Sequence, residues 1–339
     1  MDEEVRVYSP GRSPRIVAIG GGHGLSTMLR GLKRYARDIT AIVTMADDGG
    51  GSGMLRQDLG MLPPGDARDC VLALANTDEV MEQLMTYRFS EGSLTGQNFG
   101  NLLLAALNGI CGSFAEAVRA MGEVLAVTGR VLPVTEQDIH LQAQFDDGST
   151  VLGESAIFYH KKETRKGIRR VVLTPEHPKA YPESLQAIER ADLILIGPGS
   201  LYTSIIPNFL VSGVTEAVQN ARAYKLMIMN LMTQDGETEG YTAADHVREL
   251  TRHSGPGVVD ACLANLCPVP EHLREEYVRE GAGEIELDWE EIEKLGVKLF
   301  TAPLLSDSSE YARHDPDLLA KAILELWRKE GRRIVNSRR

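Results

Sequence analysis

The chain has 339 residues, of which 43% are hydrophobic and 25% are charged, which is the composition of an ordinary globular protein. The formal net charge is −12, which argues against nucleic acid as the main partner because phosphate backbones need clustered Lys and Arg. The apolar runs fall short of the about 20 residues that span a bilayer, so we expect no membrane insertion.

The ends of the chain indicate the limits of its domain, and the cysteines indicate its redox state. Residues 1–14 are polar and lack the apolar core of a signal peptide, which predicts a loose lead-in and a cytoplasmic protein. The four cysteines form no Cys-x-x-Cys pair, which favours reduced thiols over a zinc or redox site. We expect one domain over residues 15–330 and a basic tail over 331–339. The acidic stretch 271–293 is typical of a solvated helical face, and its role and that of the tail stay open.

In the first third of the chain, apolar strand-like runs come first and helix-like runs follow. The predicted elements there are Ile16–Ile19, Leu25–Tyr35, Ile39–Met45, Ala67–Ala75, Glu79–Tyr87, Gly100–Cys111 and Phe114–Ala126. The first and third are strands, and the others have helical spacing of their apolar residues.

The pattern changes at about residue 128, where short strand candidates follow one another. They are Arg130–Val134, Ile139–Phe145, Thr150–Ile157 and Val171–Thr174, with a charged connector at Lys161–Arg170. Asp147-Gly148 is a strong hairpin signal between the second and third of them. We therefore expect a small, partly antiparallel insertion over about residues 128–178.

Strands and helices alternate again after the insertion, which favours an α/β fold with a mostly parallel sheet. The predicted elements are Ser184–Ala191, Leu193–Ile196, Gly213–Ala223, Lys225–Leu231, Thr242–Thr251, Val258–Ala264, Glu271–Glu280, Lys298–Thr301 and Asp317–Lys329. The second, fourth, sixth and eighth of these are strands.

Three glycine-rich turns follow directly on apolar strands, at Gly20–Gly24, Asp47–Gly53 and Gly197–Ser200. A glycine turn between a strand and a helix directs backbone N–H groups and the helix dipole at one spot, where a phosphate is favoured. Because the carboxyl ends of parallel strands share one edge, the turns predict one phosphate-bearing ligand at that edge.

The first turn is an imperfect dinucleotide fingerprint, because Leu25 occupies the position of the final Gly or Ala. It is not a P-loop either, since no Gly-Lys-Ser/Thr follows. An NAD-binding role is therefore only a third hypothesis. A tight turn without a ligand, with His23 simply exposed, is the alternative for this segment.

Asp47 and Asp48 end the second strand, and adjacent residues of an extended chain point in opposite directions. One carboxylate is expected to face the ligand while the other caps the following turn. The acids could bind ribose or sugar hydroxyls, hold magnesium beside phosphates, act as a catalytic base, or serve only the turn. Arg56 follows closely and could neutralise phosphate charge.

Further candidates lie where later helices are expected to begin. Asp66 is predicted to cap a helix whose first turn holds Arg68. A cation there opposes the helix dipole, which an anionic ligand or a surface ion pair would explain. Asn98 is either a helix cap or a ligand contact, and Asn101 is free to offer its amide. The complete set of predicted ligand contacts is Gly21, Gly22, His23, Gly24, Asp47, Asp48, Gly49, Arg56, Asp66, Arg68, Asn98, Asn101, Gly197, Gly199, Ser200, Thr203, Ser204, Asn230 and Thr233.

Five motifs in this order resemble those of the YvcK family, also called the gluconeogenesis factor family, within the CofD-like superfamily. They are Gly20–Gly24, Ala46–Gly53, Pro63–Asp66, Phe99–Leu102 and Ile196–Ser200. The resemblance covers about residues 15–329. It departs at Asp235, where the family commonly has proline, and this puts the rigidity of the loop 232–238 in question.

The resemblance implies a Rossmann-like, three-layer α/β core. For the YvcK branch it implies a cytoplasmic bacterial factor, needed for cell shape and envelope synthesis on gluconeogenic carbon sources, that binds UDP-sugars such as UDP-N-acetylglucosamine. For the CofD branch it implies a magnesium-dependent transfer of phospholactate onto a deazaflavin. Our first hypothesis is a UDP-sugar-binding factor without turnover. The alternative is a magnesium-dependent transferase that uses Asp47 and Asp48, and a homo-oligomer is compatible with either.

Overall fold

Two β-sheets are present in the computed structural model, which describes residues 13–306, 311–331 and 335. The strands are β1 Ile16–Gly20, β2 Ile39–Val43, β3 Arg130–Pro133, β4 His140–Phe145, β5 Thr150–Leu152, β6 Ile168–Thr174, β7 Leu193–Ile196, β8 Tyr224–Ile228, β9 Ala261–Asn265 and β10 Lys298–Ala302. The predicted lead-in and basic tail lie almost wholly outside the described residues.

Helices connect most of these strands. They are α1 Gly22–Leu32, α2 Gly50–Leu59, α3 Gly65–Leu74, α4 Glu79–Thr86, α5 Phe99–Cys111, α6 Phe114–Val124, α7 Glu154–Thr164, α8 Pro182–Arg190, α9 Ile206–Phe209, α10 Val214–Asn220, α11 Ala243–Ser254, α12 Glu271–Glu280, α13 Trp289–Lys294 and α14 Pro316–Leu326. Within the described ranges, no single helix is long and apolar enough to cross a membrane; α5 and α6 reach that length and composition only as a pair bent by 119°.

The larger sheet has seven parallel strands in the order β10-β9-β8-β7-β1-β2-β3. The chain moves outward from β1 through β2 to β3, and later outward in the other direction from β7 to β10. The direction therefore reverses between β1 and β7. In open parallel sheets, such a reversal opens a crevice at the carboxyl ends of the strands.

The four strands around this reversal are buried along their whole length. Every residue of β1, β2, β7 and β8 is buried, and their apolar side chains belong to one continuous core. Strands buried on both faces need helices on both sides of the sheet. The fold is thus the predicted Rossmann-like, three-layer α/β sandwich.

The second sheet is small and antiparallel, with the order β5-β4-β6. The predicted hairpin at Asp147-Gly148 joins β4 to β5, and Gly148 has the positive φ of +86° that such a turn requires. The neighbouring strand β3 pairs with β2 in the parallel sheet instead, so Arg130–Pro133 is part of the core and not of the antiparallel sheet.

One predicted strand of this region is mostly a helix. The segment Thr150–Ile157 stays extended only to Leu152, and α7 then runs to Thr164, into the predicted charged connector. Gly153 adopts a φ of +100°, which ends the strand. Ile157 and Lys161, one helical turn apart, are buried on the inner side of α7. The prediction was wrong because this short segment has too few apolar residues to show a helical period.

Candidate functional site

A cavity of about 710 Å³ opens at the carboxyl edge of the parallel sheet. Its walls come from the segments that follow β1, β2, β7 and β8, together with the starts of α3 and α7 and the residues just before α14. Small-molecule sites commonly have volumes of about 300–1,000 Å³. The cavity therefore lies where the three glycine turns predict a ligand.

Most of the predicted contacts meet in this cavity. Those that line it are Gly21, Gly22, His23, Gly24, Asp47, Gly49, Asp66, Arg68, Asn101, Gly199, Ser200, Ser204, Asn230 and Thr233. Five others lie behind the wall, namely Asp48, Arg56, Asn98, Gly197 and Thr203. That any of them contacts a ligand stays a prediction.

The first and third turns pack directly against each other. A Cβ atom added at Gly24 would lie 2.8 Å from the carbonyl oxygen of Pro198, closer than real Cβ atoms approach backbone. At Gly21 an added Cβ would collide with the carboxylate of Asp66. Glycine is needed at Gly24 because the backbone of the third turn occupies the space of a side chain, and at Gly21 because the Asp66 side chain does so.

Two of the N–H groups that we expected to be bare are bonded within the protein. Gly22 donates its N–H to the Asp66 carboxylate, and Gly199 donates to Oδ1 of Asn230 at 3.0 Å. The Nδ2 of Asn230 returns a hydrogen bond to the Gly199 carbonyl at 2.9 Å, so this side chain fixes the third turn. These two amides therefore hold the wall together and do not point at open space.

The N-termini of α1 and α2 remain suited to an anion. Both helices begin at the cavity, and neither has an acidic residue in its first turn or a side-chain cap from its own N-cap residue, although Asp66 occupies the N–H of Gly22 and Asp47 that of Gly49. Unpaired N–H groups and the helix dipole give such a terminus a partial positive charge of about half a unit. Two of them facing one cavity favour a ligand with more than one phosphate oxygen.

Asp47 and Asp48 diverge as predicted from the alternation of an extended chain. Asp47 faces the cavity and accepts a hydrogen bond from the N–H of Gly49 at 2.8 Å. Asp48 turns away and accepts from the N–H of Ser155 at 2.9 Å, at the start of α7. It therefore anchors the insertion and does not cap the turn that follows it.

Three carboxyl groups at the β2 side of the cavity have raised pKa values. Burial and the neighbouring Asp47 raise the pKa of Asp66 to about 7. Burial also raises the pKa of Asp47, and it raises the pKa of Glu154 well above the usual range. Asp66 does not cap α3 as predicted, since the helix begins at Gly65 and the carboxyl group points back to the first turn.

The cations of the site divide into structural and cavity-facing groups. Arg56 is buried and donates from Nε to Asp138 at 2.9 Å, and from Nη1 to the Asp47 carbonyl at 3.3 Å. It thus holds the second turn and does not face a phosphate, contrary to our expectation. Arg68 lies in the wall and donates from Nη1 to Asn101 at 2.9 Å.

Two of the predicted contacts behind the wall have clear structural tasks. Asn98 is the N-cap of α5 and accepts from the N–H of Asn101 at 3.1 Å. Thr203 hydrogen-bonds both Glu154 and Glu237, and burial raises the pKa of Glu237 to about 7. These residues support the wall from behind.

Several cavity residues were missed from the sequence. The most notable are Arg88, Glu154, Tyr277, Tyr311, Arg313 and His314. Most come from segments without a glycine turn. One signal was present in the strand pattern, because β10 also ends at this edge of the sheet and the residues after it must pass the crevice.

A metal-binding cluster is not evident in the described parts of the chain. No group of three or more His, Cys, Asp or Glu residues there could hold an ion. Of the predicted pair, only Asp47 offers a cavity-facing carboxylate, next to the start of α2, and magnesium commonly binds through one or two carboxylates plus substrate phosphates. Magnesium therefore stays a prediction that rests on Asp47 and not on the Asp47–Asp48 pair.

The family profile described as 2-phospho-L-lactate transferase CofD matches residues 16–305. The chain belongs to the CofD family. A gluconeogenesis factor of Bacillus subtilis is 45% identical over 320 residues, which are 94% of this chain and 100% of that protein. A gluconeogenesis factor of Halalkalibacterium halodurans is 44% identical over 315 residues, which are 93% of this chain and 97% of that protein.

Solved structures agree with this assignment. A crystal structure of a member of the UPF0052 family from Bacillus halodurans superposes with a TM-score of 0.88 at 43% identity, and the match covers 93% of this chain and 99% of that one. The resemblance to the gluconeogenesis factors is thereby confirmed, and with it the CofD-like fold.

Proposed function

We propose that this gluconeogenesis-factor relative binds a nucleoside-diphosphate sugar of the UDP class, such as UDP-N-acetylglucosamine, and acts as a regulatory factor without turnover. The observation that carries the proposal is the convergence of the α1 and α2 N-termini, whose N-cap residues are both glycines, on one cavity at the reversal of the sheet. A diphosphate suits these two helix ends.

The rest of the cavity supports a ligand with many hydroxyl groups. Asp47 and Asn101 line the cavity with polar side chains, and Ser200 and Ser204 add hydroxyl-bearing residues to its wall. Carboxylates repel phosphate but accept hydrogen bonds from sugar hydroxyls. A nucleotide sugar combines both demands, because the diphosphate can lie at the helix ends while hydroxyl groups face the acids.

We propose the biological role that the name of the relatives indicates, which is that of a factor for growth on gluconeogenic carbon sources. We place the protein in the cytoplasm, where nucleotide sugars are made, and link it to envelope synthesis and cell shape. Binding such a precursor would let the factor report the supply of envelope material.

Calorimetry across UDP-sugars tests the binding. Arg68→Gln removes a half-buried cation from the wall, and we expect the affinity for UDP-N-acetylglucosamine to fall about tenfold, or about 1.4 kcal/mol. Arg119→Gln is the matched control, because Arg119 is an exposed arginine of α6 that pairs with Glu116 and Glu123 outside the cavity. The control should bind as the unmodified protein does.

Failure of every UDP-sugar to bind the unmodified protein at millimolar concentration would refute the proposal. Equal losses in Arg68→Gln and Arg119→Gln would show that net charge, rather than the cavity, determines affinity.

A magnesium-dependent transferase is the second candidate, and the acidic side of the cavity favours it. Asp66, whose pKa is raised to about 7, lies beside Asp47 and could exchange a proton near neutral pH. A bound magnesium ion would neutralise charge on a leaving phosphate, with Asp47 as its protein ligand. Transfer from a nucleoside-diphosphate donor to a deazaflavin acceptor, lost in Asp47→Asn but kept in Asp48→Asn, would favour this function. No transfer by the unmodified protein would exclude it for these acceptors.

A further inference from the structure

His314 has an unpaired buried nitrogen in the cavity wall. The residue lies between β10 and α14 and is only 7% exposed. It lines the cavity, and its Nε2 has no hydrogen-bond partner among the described residues. A buried polar atom without a partner costs free energy, so its position calls for an explanation.

The neutral ring of His314 carries its hydrogen on the other nitrogen, which leaves Nε2 as a hydrogen-bond acceptor. The ring's other nitrogen hydrogen-bonds the backbone of Met229 at the end of β8, in a way that favours the protonated form, so it donates to the carbonyl group. The proton is therefore on that side, and Nε2 carries a lone pair. Burial lowers the pKa of His314 to about 4, which keeps the ring neutral at pH 7.

Gln234 supplies a second acceptor of the same kind. Its Nε2 donates to Oγ of Ser200 at 2.9 Å, which fixes the orientation of the amide. Its Oε1 is buried and has no partner among the described residues, and the side chain lines the same cavity. Both acceptors come from segments that follow β8 and β10, which lie on the same side of the sheet reversal.

We propose that His314 Nε2 and Gln234 Oε1 determine the specificity of the cavity by accepting hydrogen bonds from N–H or O–H groups of the bound ligand. The inference rests on the proposed function, since it assigns the part of the nucleotide sugar that this side recognises. An ionised phosphate has no proton to donate to either atom. The phosphates therefore lie at the helix ends, and a donor-bearing part of the ligand lies against His314.

The donor could belong to the nucleobase and ribose or to the transferred sugar, and both present the same chemistry. Calorimetry with UDP, UDP-glucose and UDP-N-acetylglucosamine separates these sources. We expect His314→Leu to weaken binding at least tenfold and His314→Gln to restore part of it, because a glutamine can present an oxygen near the position of Nε2. A loss that also appears with UDP assigns the donor to the uridine, and a loss confined to the UDP-sugars assigns it to the sugar.

The chain offers a closely matched control in His246. This histidine of α11 is 2% exposed, its Nδ1 lies 2.8 Å from the Thr242 carbonyl oxygen, and its Nε2 is also buried without a partner among the described residues. It does not line the cavity. His246→Leu should leave affinity unchanged even though its effect on stability should resemble that of His314→Leu.

Nitrogen NMR keeps the test independent of whether the leucine variant folds. In unmodified protein with ¹⁵N-labelled histidine, addition of UDP-N-acetylglucosamine should shift the Nε2 resonance of His314 and leave that of His246 in place. Binding to the unmodified protein without this shift, or without weakening in a folded His314→Leu, would overturn the inference and leave the proposed function standing. Absence of any binding to the unmodified protein would overturn both.

Discussion

The two sides of the cavity differ in charge although they share one sheet edge. On the β2 side, Asp47, Asp66 and Glu154 hold carboxyl groups whose pKa values are raised. On the side of β8 and β10, the described wall has no carboxylate and contains Gln234, Arg313 and the neutral His314 instead. On the first side, burial raises the pKa values of carboxyl groups, so a proton or a cation is favoured there, whereas the second side holds acceptors that only a donor can satisfy.

This difference indicates how a ligand would be oriented. The start of α1, after β1, lies between the two sides, and the start of α2, after β2, lies on the acidic side. A diphosphate in the middle places one end of the ligand against the acids and the other against His314 and Gln234. Substitutions on each side, and in the turns and ion pairs that join the two sides, test this arrangement.

The largest effect is expected where the two sides meet, at Gly24. Gly24→Ala would place a Cβ 2.8 Å from the Pro198 carbonyl oxygen and push the first and third turns apart. Overpacking of this kind costs about 1–3 kcal/mol of folding free energy. Because the folded protein relieves the overlap by moving the two turns that form the site, we expect the binding of UDP-N-acetylglucosamine to weaken by a similar free energy, about 5- to 150-fold. Calorimetry measures this loss. Gly109→Ala is the control, since a Cβ there meets nothing within 4 Å, and an unchanged affinity in Gly24→Ala would show that the loops need not touch.

A smaller effect is expected on the acidic side, from Asp66. Its pKa is raised to about 7 in the folded protein and is about 3.9 in an unfolded chain, so the folded state holds the extra proton between these values. Stability should therefore fall as pH rises from about 4 to about 7 and change little above that. Because Asp66 opens onto the cavity, solvent there reduces the effect to about 1–2 kcal/mol.

Asp66→Asn should remove this dependence. We expect its free energy of unfolding to equal that of the unmodified protein at pH 5 and to exceed it by about 1–2 kcal/mol at pH 8, as urea unfolding at the two values would show. Asp58→Asn, on the exposed surface of α2, should change neither value. A stabilisation by Asp66→Asn that is the same at both pH values would contradict the assigned ionisation.

The sequence predicted the fold well because its strongest signals are local. The apolar runs of β1, β2 and β7 are continuous, since both faces of those strands are buried, and glycine turns mark where they end. The insertion was harder to predict. The start of α7 has only Ile157 and Lys161 on its buried side, and a lysine does not register as apolar.

The part of the cavity that follows β10 was not predicted, and the reason is physical. Glycines at the ends of strands are visible in the sequence, so the segments after β1, β2 and β7 were found. Arg313 and His314 reach the cavity because β10 is added at the far edge of the sheet, and only the strand order reveals this. Arg56 was misassigned because its partner, Asp138, is distant in sequence.

On the side of β8 and β10, the described wall carries positive charge at Arg313, and Arg313→Gln tests what this charge contributes to binding. Arg313 is exposed, and its Cζ lies 5.6 Å from the ring centre of Tyr311, which also lines the cavity. We expect a three- to tenfold weaker affinity, about 1 kcal/mol, and a weaker dependence on salt. Calorimetry at two salt concentrations measures both. Arg169→Gln changes an exposed arginine outside the cavity, and an equal loss there would contradict a local effect.

The smallest effect is expected where ion pairs tie the two sides together behind the cavity. The helix α7, which carries Glu154, is joined to the loop that carries Gln234 by Arg165 and Lys162, which lie 2.9 Å and 2.8 Å from Asp235. Arg165 is 57% exposed, so solvent screens its pair, and Lys162 still holds Asp235 in Arg165→Gln. We therefore expect a loss of at most about 0.5 kcal/mol in urea unfolding and unchanged ligand affinity. Asp235→Ala removes both pairs and should lower the free energy of unfolding further. If Arg165→Gln weakened ligand binding as much as Gly24→Ala does, the two sides would be coupled through α7 rather than through the glycine turns.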